Sequence, residues 1–177
     1  RGLGDVYKRQ FHNTVTDTVF PIITSLGEAG IGWIVLSLVL LCFKKTRRTG
    51  GLVLIAMTVT LLFGELTLKN IICRLRPCNV FTDFPMLIAR PTSYSFPSGH
   101  TSSSFAAALI LTLRHKKVGW LAYIPAVLIA FSRIFLFVHY PTDVLAGILL
   151  GTLAALLTYF AAKAIQKRQA EKRTAQI

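Results

Sequence analysis

Three short stretches of the chain combine cations, histidines and a carboxylate, the residue types that can bind and transfer a phosphoryl group. The first is KNIICRLRP, in which Lys69 and Arg76 are seven residues apart. That spacing places both cations on one face of a helix, two turns apart, and Pro77 is expected to end the helix. The alternative is that each cation simply extends its charged group to the edge of an apolar segment.

The second stretch is PSGH, Pro97 to His100, at the start of an apolar run. Ser98 is expected to be the N-cap of a helix, whose first turn offers unpaired backbone N–H groups and the positive end of a dipole. Phosphate binds well at such a position, and Gly99 leaves room for an anion beside the backbone. His100 would then stand next to the anion. The alternative is an ordinary capped helix with an interfacial histidine.

The third stretch is SRIFLFVHYPTD, Ser132 to Asp143. Arg133 lies in an apolar segment, where an ionisable group is a candidate for function. His139 and Asp143 are four residues apart, so the carboxylate could orient the imidazole, although Pro141 disturbs regular helical spacing. The alternative is that Asp143 only stabilises the start of a helix and His139 has no role.

The elements that must position these residues are apolar enough to lie in a membrane. The chain has 177 residues, of which 53% are hydrophobic and 15% charged. A membrane-spanning helix needs about 20 mostly apolar residues. We therefore expect an all-α, multi-pass transmembrane bundle of about five spans, with the polar start of the third span lining a protein cavity. The spans are predicted at 19–43, 51–72, 100–113, 118–138 and 144–162.

The basic residues indicate the orientation of this bundle. A net charge of +13 could suggest nucleic-acid binding, but the cations lie in short clusters between the predicted spans, which favours a topology signal and no nucleic-acid partner. The clusters are on one side, predicted to be cytoplasmic, and the three chemical stretches are on the other, extracytoplasmic side of the plasma membrane. The clusters are Lys44, Lys45, Arg47 and Arg48; Arg114, Lys116 and Lys117; and Lys163, Lys167, Arg168, Lys172 and Arg173.

Together, the three stretches resemble the signature of the type 2 phosphatidic acid phosphatase (PAP2) family, which is related to bacterial acid phosphatases and vanadium haloperoxidases. That signature reads K-x6-RP, PSGH and SR-x5-H-x3-D, and every position is present between Lys69 and Asp143. The resemblance implies a PAP2-like membrane phosphatase domain at 11–165, followed by a basic cytoplasmic tail at 166–177. Residues 1–10, RGLGDVYKRQ, resemble a translated sequencing-adapter end and are expected to be foreign to the fold.

The resemblance also implies a role for each signature residue. His139 would attack phosphorus to form a phosphohistidine, Asp143 would orient it, and His100 would protonate the departing oxygen and then activate water. Neither a metal nor another cofactor is expected. The phosphate-binding residues would be Lys69, Arg76, Ser98, Gly99 and Arg133. Glu65, one turn before Lys69, is expected to form an i,i+4 ion pair with it, and an influence on the phosphate site is the alternative.

The expected partners are a lipid phosphate substrate and membrane lipids, without an obligatory protein partner. Within the family, dephosphorylation of undecaprenyl diphosphate suits a small, outward-facing bacterial enzyme, with phosphatidylglycerophosphate or phosphatidate as the alternative substrate. Two other classes remain open: a transporter or scaffold that binds phosphate without turnover, and a haloperoxidase-like enzyme that needs vanadate. The three cysteines show no disulfide framework: Cys42, Cys73 and Cys78. Cys73 and Cys78 are expected to be free thiols, and a bond between them is the alternative.

Overall fold

The computed structural model describes residues 12–174, and all regular structure within this range is helical, as predicted. The predicted foreign start at 1–10 lies outside the described residues. We number the α-helices α1 to α8 and name the other helical segments by type. They are α1 (Thr14–Leu26), a 3-10 turn (Glu28–Gly30), α2 (Ile31–Cys42), α3 (Arg47–Thr60), a π-helical segment (Leu61–Leu68), α4 (Lys69–Ile72), α5 (Pro77–Val80), α6 (Gly99–Arg114), a second 3-10 turn (Gly119–Ala122), α7 (Tyr123–Phe135) and α8 (Pro141–Thr174).

Helix α6 is the centre of the bundle and packs against α3, α7 and α8. Its contact with α8 is close because glycines face it: a methyl group placed on Gly151 would lie 2.3 Å from the carbonyl oxygen of Ser102. Thr101 and Ser102 are buried in this contact, whereas the buried Ser104 accepts a hydrogen bond from Nε1 of Trp33 in α2. The polar start of α6 therefore lies inside the protein, as the sequence predicted, and most of its hydroxyl groups bond within this first stretch of the helix rather than to other helices.

The outer surface of the bundle is apolar. Two helical stretches, Arg47–Val80 and Pro141–Thr174, are long and apolar enough to cross a membrane, and Ile31–Cys42 and Gly119–Phe135 are shorter apolar helices. Many large apolar side chains on these helices are exposed, and together they form an apolar surface larger than a water-soluble monomer usually has. They include Val35, Leu38, Val39, Ile55, Phe63, Val127, Phe131, Leu149, Leu157 and Phe160. The bundle therefore has the surface of a transmembrane protein.

The first predicted span, 19–43, is two helices rather than one. Helix α1 ends at Leu26 and α2 begins at Ile31, because Gly30 adopts a left-handed conformation with φ 70°, which glycine accepts without strain. The turn between them packs inward. A methyl group on Gly27 would lie 2.8 Å from Cγ2 of Ile129 and 3.2 Å from Cδ2 of His100. The turn thus forms a wall beside the PSGH stretch instead of continuing through lipid.

The two ends of α6 mark the two ends of the bundle. At its C-terminal end, the hydroxyl of Thr49 and Nε2 of His115 are 3.0 Å apart, which places the loops before α3 and after α6 together. Two of the predicted basic clusters therefore share one end, as expected. The PSGH stretch lies at the other end of this 16-residue helix, about 24 Å away. Helix α8 continues through 166–174, where its side chains are exposed.

Candidate active site

One cavity of about 950 Å³ brings most of the predicted site residues together. It lies at the N-terminal end of α6, and its wall includes Lys69, Arg76, Gly99, His100, Arg133 and His139. We call it the active-site cavity. Asp143 and Ser98 are fully buried behind this wall. Three separate parts of the chain therefore converge on one chamber, which contains three cations and two imidazoles.

Arg76 holds the imidazole of His139. Its Nη1 donates to Nε2 of His139 at 2.9 Å and to the carbonyl oxygen of Val138 at 3.0 Å. Its other nitrogens donate to Ser93, with Nε 2.7 Å from the carbonyl oxygen and Nη2 2.9 Å from the hydroxyl. Arginine has no acceptor, so Nε2 of His139 must offer its lone pair and the ring proton must lie on Nδ1. The nitrogen that faces the cation therefore carries the lone pair of the neutral ring.

The other ring nitrogen of His139 faces Asp143. Its Nδ1 is 3.7 Å from Oδ2 of the carboxylate, and the hydroxyl of Ser95 lies between them, 2.5 Å from that oxygen and 3.5 Å from the ring nitrogen. The backbone N–H of Tyr140 also donates to Oδ2 at 2.9 Å. The predicted pairing is thus present across Pro141. Ser95 was not predicted, because its only sequence signal is its position near PSGH.

A second unpredicted residue, Arg74, completes the contacts of Asp143. Its Nη1 donates to Oδ1 of Asp143 at 2.6 Å and to the hydroxyl of Thr142 at 2.7 Å, and its guanidinium lies 3.9 Å from the ring centroid of Tyr140. The buried carboxylate therefore has a cation on one oxygen and neutral donors on the other. This arrangement stabilises the ionised form that the imidazole needs.

The backbone around Arg74 and Arg76 differs from the prediction. Pro77 does not end the helix of Lys69; α4 already ends at Ile72, Cys73 is left-handed with φ 50°, and Pro77 begins α5. Proline suits the first position of a helix, and it keeps the preceding Arg76 extended at φ −72° and ψ 150°. This extended linker turns both guanidinium groups toward the chain near His139, which a continuous helix would not do.

Burial determines the protonation state of His139. Only 3% of the residue is exposed, and this burial, with the nearby charges of Arg76 and Arg133, lowers the pKa of His139 to about 3. The bond with Asp143 opposes the shift. The imidazole is therefore neutral at physiological pH.

Arg133 and His100 form the opposite wall, beside the turn after α1. Nη1 of Arg133 donates to the hydroxyl of Thr24, while its buried Nε has no hydrogen-bond partner among the described residues. A buried guanidinium with an unused donor can bind an additional anion. Thr24 and Gly27 belong to a segment that sequence reasoning treated as part of a span, so their place in the site was missed.

Lys69 is buried, and its ammonium group donates to both oxygens of Glu65 at 2.7 and 2.6 Å, which confirms the expected pair. The carboxylate also lies against Gly99: a methyl group there would be 2.1 Å from Oε1 of Glu65. Gly99 therefore lets the carboxylate lie directly against the start of α6. Sequence patterns could not show this contact, because it joins two distant segments.

Ser98 has a different local role from the one expected. It occupies the N-cap position, but its hydroxyl is 2.9 Å from that of Thr101 and makes no capping bond to the backbone. Its N–H donates to the carbonyl oxygen of Asp143 at 3.0 Å. Ser98 therefore joins the starts of α6 and α8, and its contribution to phosphate binding stays a prediction.

Metal-ligand clusters and disulfides are absent from the described part of the chain. Residues 12–174 contain no group of three or more His, Cys, Asp or Glu side chains that could hold a metal ion. The three cysteines are free; Cys42 and Cys73 are exposed and Cys78 is buried.

Comparisons with known proteins agree with this geometry. The sequence profile of the PAP2 superfamily matches residues 49–167. The chain is 39% identical over 127 residues to the undecaprenyl-diphosphatase of Sulfolobus acidocaldarius, a match that covers 71% of this chain and 61% of that protein. It is 31% identical over 157 residues to the undecaprenyl-diphosphatase BcrC of Bacillus subtilis, covering 84% of this chain and 76% of that protein.

A solved structure shows the same fold. The transmembrane PAP2 type phosphatidylglycerolphosphate phosphatase from Bacillus subtilis superposes with a TM-score of 0.71 at 30% sequence identity. The match covers 92% of this chain and 85% of that chain. The similarity therefore extends from the signature stretches to nearly the whole helical bundle.

Proposed function

We propose that this chain, which belongs to the PAP2 superfamily and is a hydrolase of phosphoric esters, acts on undecaprenyl diphosphate. The product of the proposed reaction is undecaprenyl phosphate. The observation that carries the proposal is the active-site cavity itself. Lys69, Arg76 and Arg133 surround one neutral imidazole nitrogen, that of His139. Three cations match the charge of a diphosphate group, and fixed cations in a partly dry site stabilise transferred phosphoryl charge.

In the first half of the proposed reaction, the terminal phosphoryl group is transferred to the enzyme. Its oxygens bind the three cations. Nη1 of Arg76 then donates its hydrogen bond to one of these oxygens instead of to Nε2 of His139, which frees the lone pair of that nitrogen. Nε2 of His139 then forms a bond to phosphorus while the bond from phosphorus to the bridging oxygen breaks. His100, which takes up a proton from solvent when the anionic substrate binds, gives that proton to the bridging oxygen, and undecaprenyl phosphate leaves.

In the second half, water releases the phosphoryl group. His100, now neutral, takes a proton from a water molecule whose oxygen bonds to phosphorus as the bond to Nε2 breaks. Inorganic phosphate leaves and His139 returns to its neutral state. Asp143 lies behind the ring and stabilises the positive charge that the imidazole carries while it is phosphorylated.

The shape of the cavity supports an amphiphilic substrate. Beyond the cations, its wall continues along apolar side chains, Ile34, Leu54 and Met57, which could contact a hydrocarbon chain. The cations lie at the end of the bundle opposite the basic loops. Under the positive-inside rule, we place the cavity at the outer face of the plasma membrane and the C-terminus in the cytoplasm.

Phosphatidylglycerophosphate is the second candidate substrate, because the solved structure with this fold is named for that activity. A panel of lipid substrates separates the two. Purified protein in detergent, with chelator present, should release phosphate fastest from undecaprenyl diphosphate and more slowly from phosphatidylglycerophosphate and phosphatidate. His139→Ala should release none while it remains folded. Phosphate binding without release from any of these lipids would contradict the proposal and favour a transporter or scaffold.

A further inference from the structure

The carboxylate of Glu65 lies where the phosphoryl group of the proposed reaction has to bind. It accepts two hydrogen bonds from Lys69, one of the three cations of the cavity. Its Oε1 also lies directly over Gly99, so close that a methyl group there would be 2.1 Å away. Both features of an anion site, a cation and the start of a helix, are therefore in contact with an anion that belongs to the protein.

The backbone around Glu65 produces this placement. Glu65 lies in the π-helical segment Leu61–Leu68, whose wider turn joins α3 to α4. In the same segment, Gly64 packs so closely that a methyl group on it would lie 2.9 Å from Cδ2 of Leu150. Segments of π-helix are less favourable than α-helix and occur often at functional sites. The local distortion brings the carboxylate to the cavity wall rather than to the apolar surface.

The Glu65 side chain has room to move, whereas Lys69 does not. The side chain of Lys69 is 7% exposed and that of Glu65 is 31% exposed. A phosphoryl group cannot share the position of a carboxylate, because their like charges repel each other at contact distance. Binding of phosphate to Lys69 therefore requires Glu65 to turn away into the cavity.

We propose that Glu65 is a specificity-determining residue that competes with phosphate for Lys69 and thereby weakens the binding of the free phosphate product. The inference rests on the proposed function, since it assumes that the cavity binds phosphoryl groups. A lipid diphosphate gains additional binding energy from its second phosphate and its hydrocarbon chain, and this energy offsets the competition by Glu65. Inorganic phosphate has neither, so the carboxylate displaces it and returns to Lys69.

The substitution Glu65→Gln tests the proposal. Competition with phosphate and simple positioning of Lys69 predict opposite changes in the affinity for inorganic phosphate and vanadate. If Glu65 competes with phosphate, its amide analogue should bind inorganic phosphate and vanadate about tenfold more tightly. If Glu65 only holds Lys69 in position, the same variant should bind both anions more weakly. Binding is measured by calorimetry on detergent-solubilised protein, without lipid turnover. Weaker or unchanged binding, or none in either protein, would overturn the proposal.

Two variants serve as controls. Glu65→Asp keeps the charge and should keep the weak binding of the wild type. Glu171→Gln removes the same charge from the exposed end of α8, far from the cavity, and should leave anion affinity unchanged. If Glu171→Gln also binds these anions more tightly, the change in affinity comes from the net charge of the protein, which would contradict a local competition at Lys69.

A structure of the unmodified protein with bound vanadate tests the same point without a variant. The ammonium group of Lys69 should then contact vanadate, with the carboxylate of Glu65 turned away from it. A structure in which vanadate binds while Glu65 keeps both bonds to Lys69 would overturn the inference. Failure of the proposed function would look different: no lipid would release phosphate, whatever the order of anion affinities among the variants.

Discussion

The guanidinium of Arg74 lies 2.6 Å from the carboxylate of Asp143, closer than the 3.7 Å that separates this carboxylate from the imidazole of His139. Arg74 is one of the six variable positions in the K-x6-RP stretch, so the signature gives it no role. Its contact joins the linker after α4 to the start of α8. We therefore regard Arg74 as a positioning residue that acts on His139 through Asp143.

Replacing Arg74 should slow turnover without weakening substrate binding. In Arg74→Met the carboxylate loses its only cation contact in the described structure, so we expect kcat to fall about 10- to 100-fold with KM within about twofold. Arg74→Lys should recover part of kcat, because it restores the charge but not the planar contact on Tyr140. Steady-state kinetics on the preferred lipid measure both values. Arg168→Met, on the exposed tail of α8, is the control; equal loss in both variants would contradict the assignment.

The buried neutral state of His139 should make the protein sensitive to acid. Its pKa is about 3 in the folded protein and about 6.5 when unfolded, so the unfolded state binds more protons between these values. The stabilising contribution is complete above pH 6.5 and is lost as the pH falls toward 3. At pH 5 the loss should be about 2 kcal/mol.

Thermal unfolding in detergent measures this effect. His139→Gln has no such titration, so its melting temperature should fall less between pH 8 and pH 5 than that of the wild type, by about 4 to 8 °C. The control is His115→Gln, which changes a histidine at the other end of α6. Parallel pH dependence of the wild type and His139→Gln would show that this imidazole is not held neutral by burial.

The close contact between α6 and α8 should tolerate no added atoms. Gly151→Ala places a methyl group 2.3 Å from the carbonyl oxygen of Ser102, backbone that cannot rotate away, so the helices must separate. We expect the free energy of unfolding to fall by about 1 to 3 kcal/mol. Gly51→Ala is the matched control, since a methyl group there meets nothing within 4 Å and alanine favours the helix. A smaller loss in Gly151→Ala than in Gly51→Ala would contradict the described packing.

Two native cysteines report the orientation of the bundle. Cys73 is exposed at the end that carries the cavity, and Cys42 is exposed at the end of α2 next to the first basic cluster. In intact cells, a membrane-impermeant maleimide should label a variant that keeps only Cys73 and should not label one that keeps only Cys42. Permeabilised cells provide the control for reactivity. The reverse pattern would place the cavity in the cytoplasm.

The sequence was most informative where chemistry and spacing coincide. The three signature stretches identified the cations and imidazoles that line the cavity, because buried charges in apolar segments are too costly to occur without a use. Apolar runs gave the helices of the bundle. They did not reveal the break at Gly27 to Gly30, because hydropathy carries no information about backbone conformation and so cannot indicate a left-handed glycine inside an apolar run.

The missed residues share a physical cause. Ser95 and Arg74 are ordinary polar residues in a linker, and their roles depend on a carboxylate about 50 to 70 residues later in the chain. The same holds for Thr24, whose hydroxyl accepts a hydrogen bond from Arg133. Local patterns indicate which residues can do chemistry, whereas these supporting contacts exist only after the helices have packed.

Trapping the phosphorylated enzyme tests the account most directly. Protein mixed with labelled undecaprenyl diphosphate and quenched within milliseconds in alkali should carry a phosphoryl group on one histidine, and peptide mass spectrometry should locate it at His139. His100→Ala should form this species more slowly, because the bridging oxygen lacks its proton donor, and should retain it longer, because the water that removes the phosphoryl group is no longer activated. A phosphoryl group on another residue, or turnover with no phosphorylated protein at any quench time, would contradict His139 as the nucleophile.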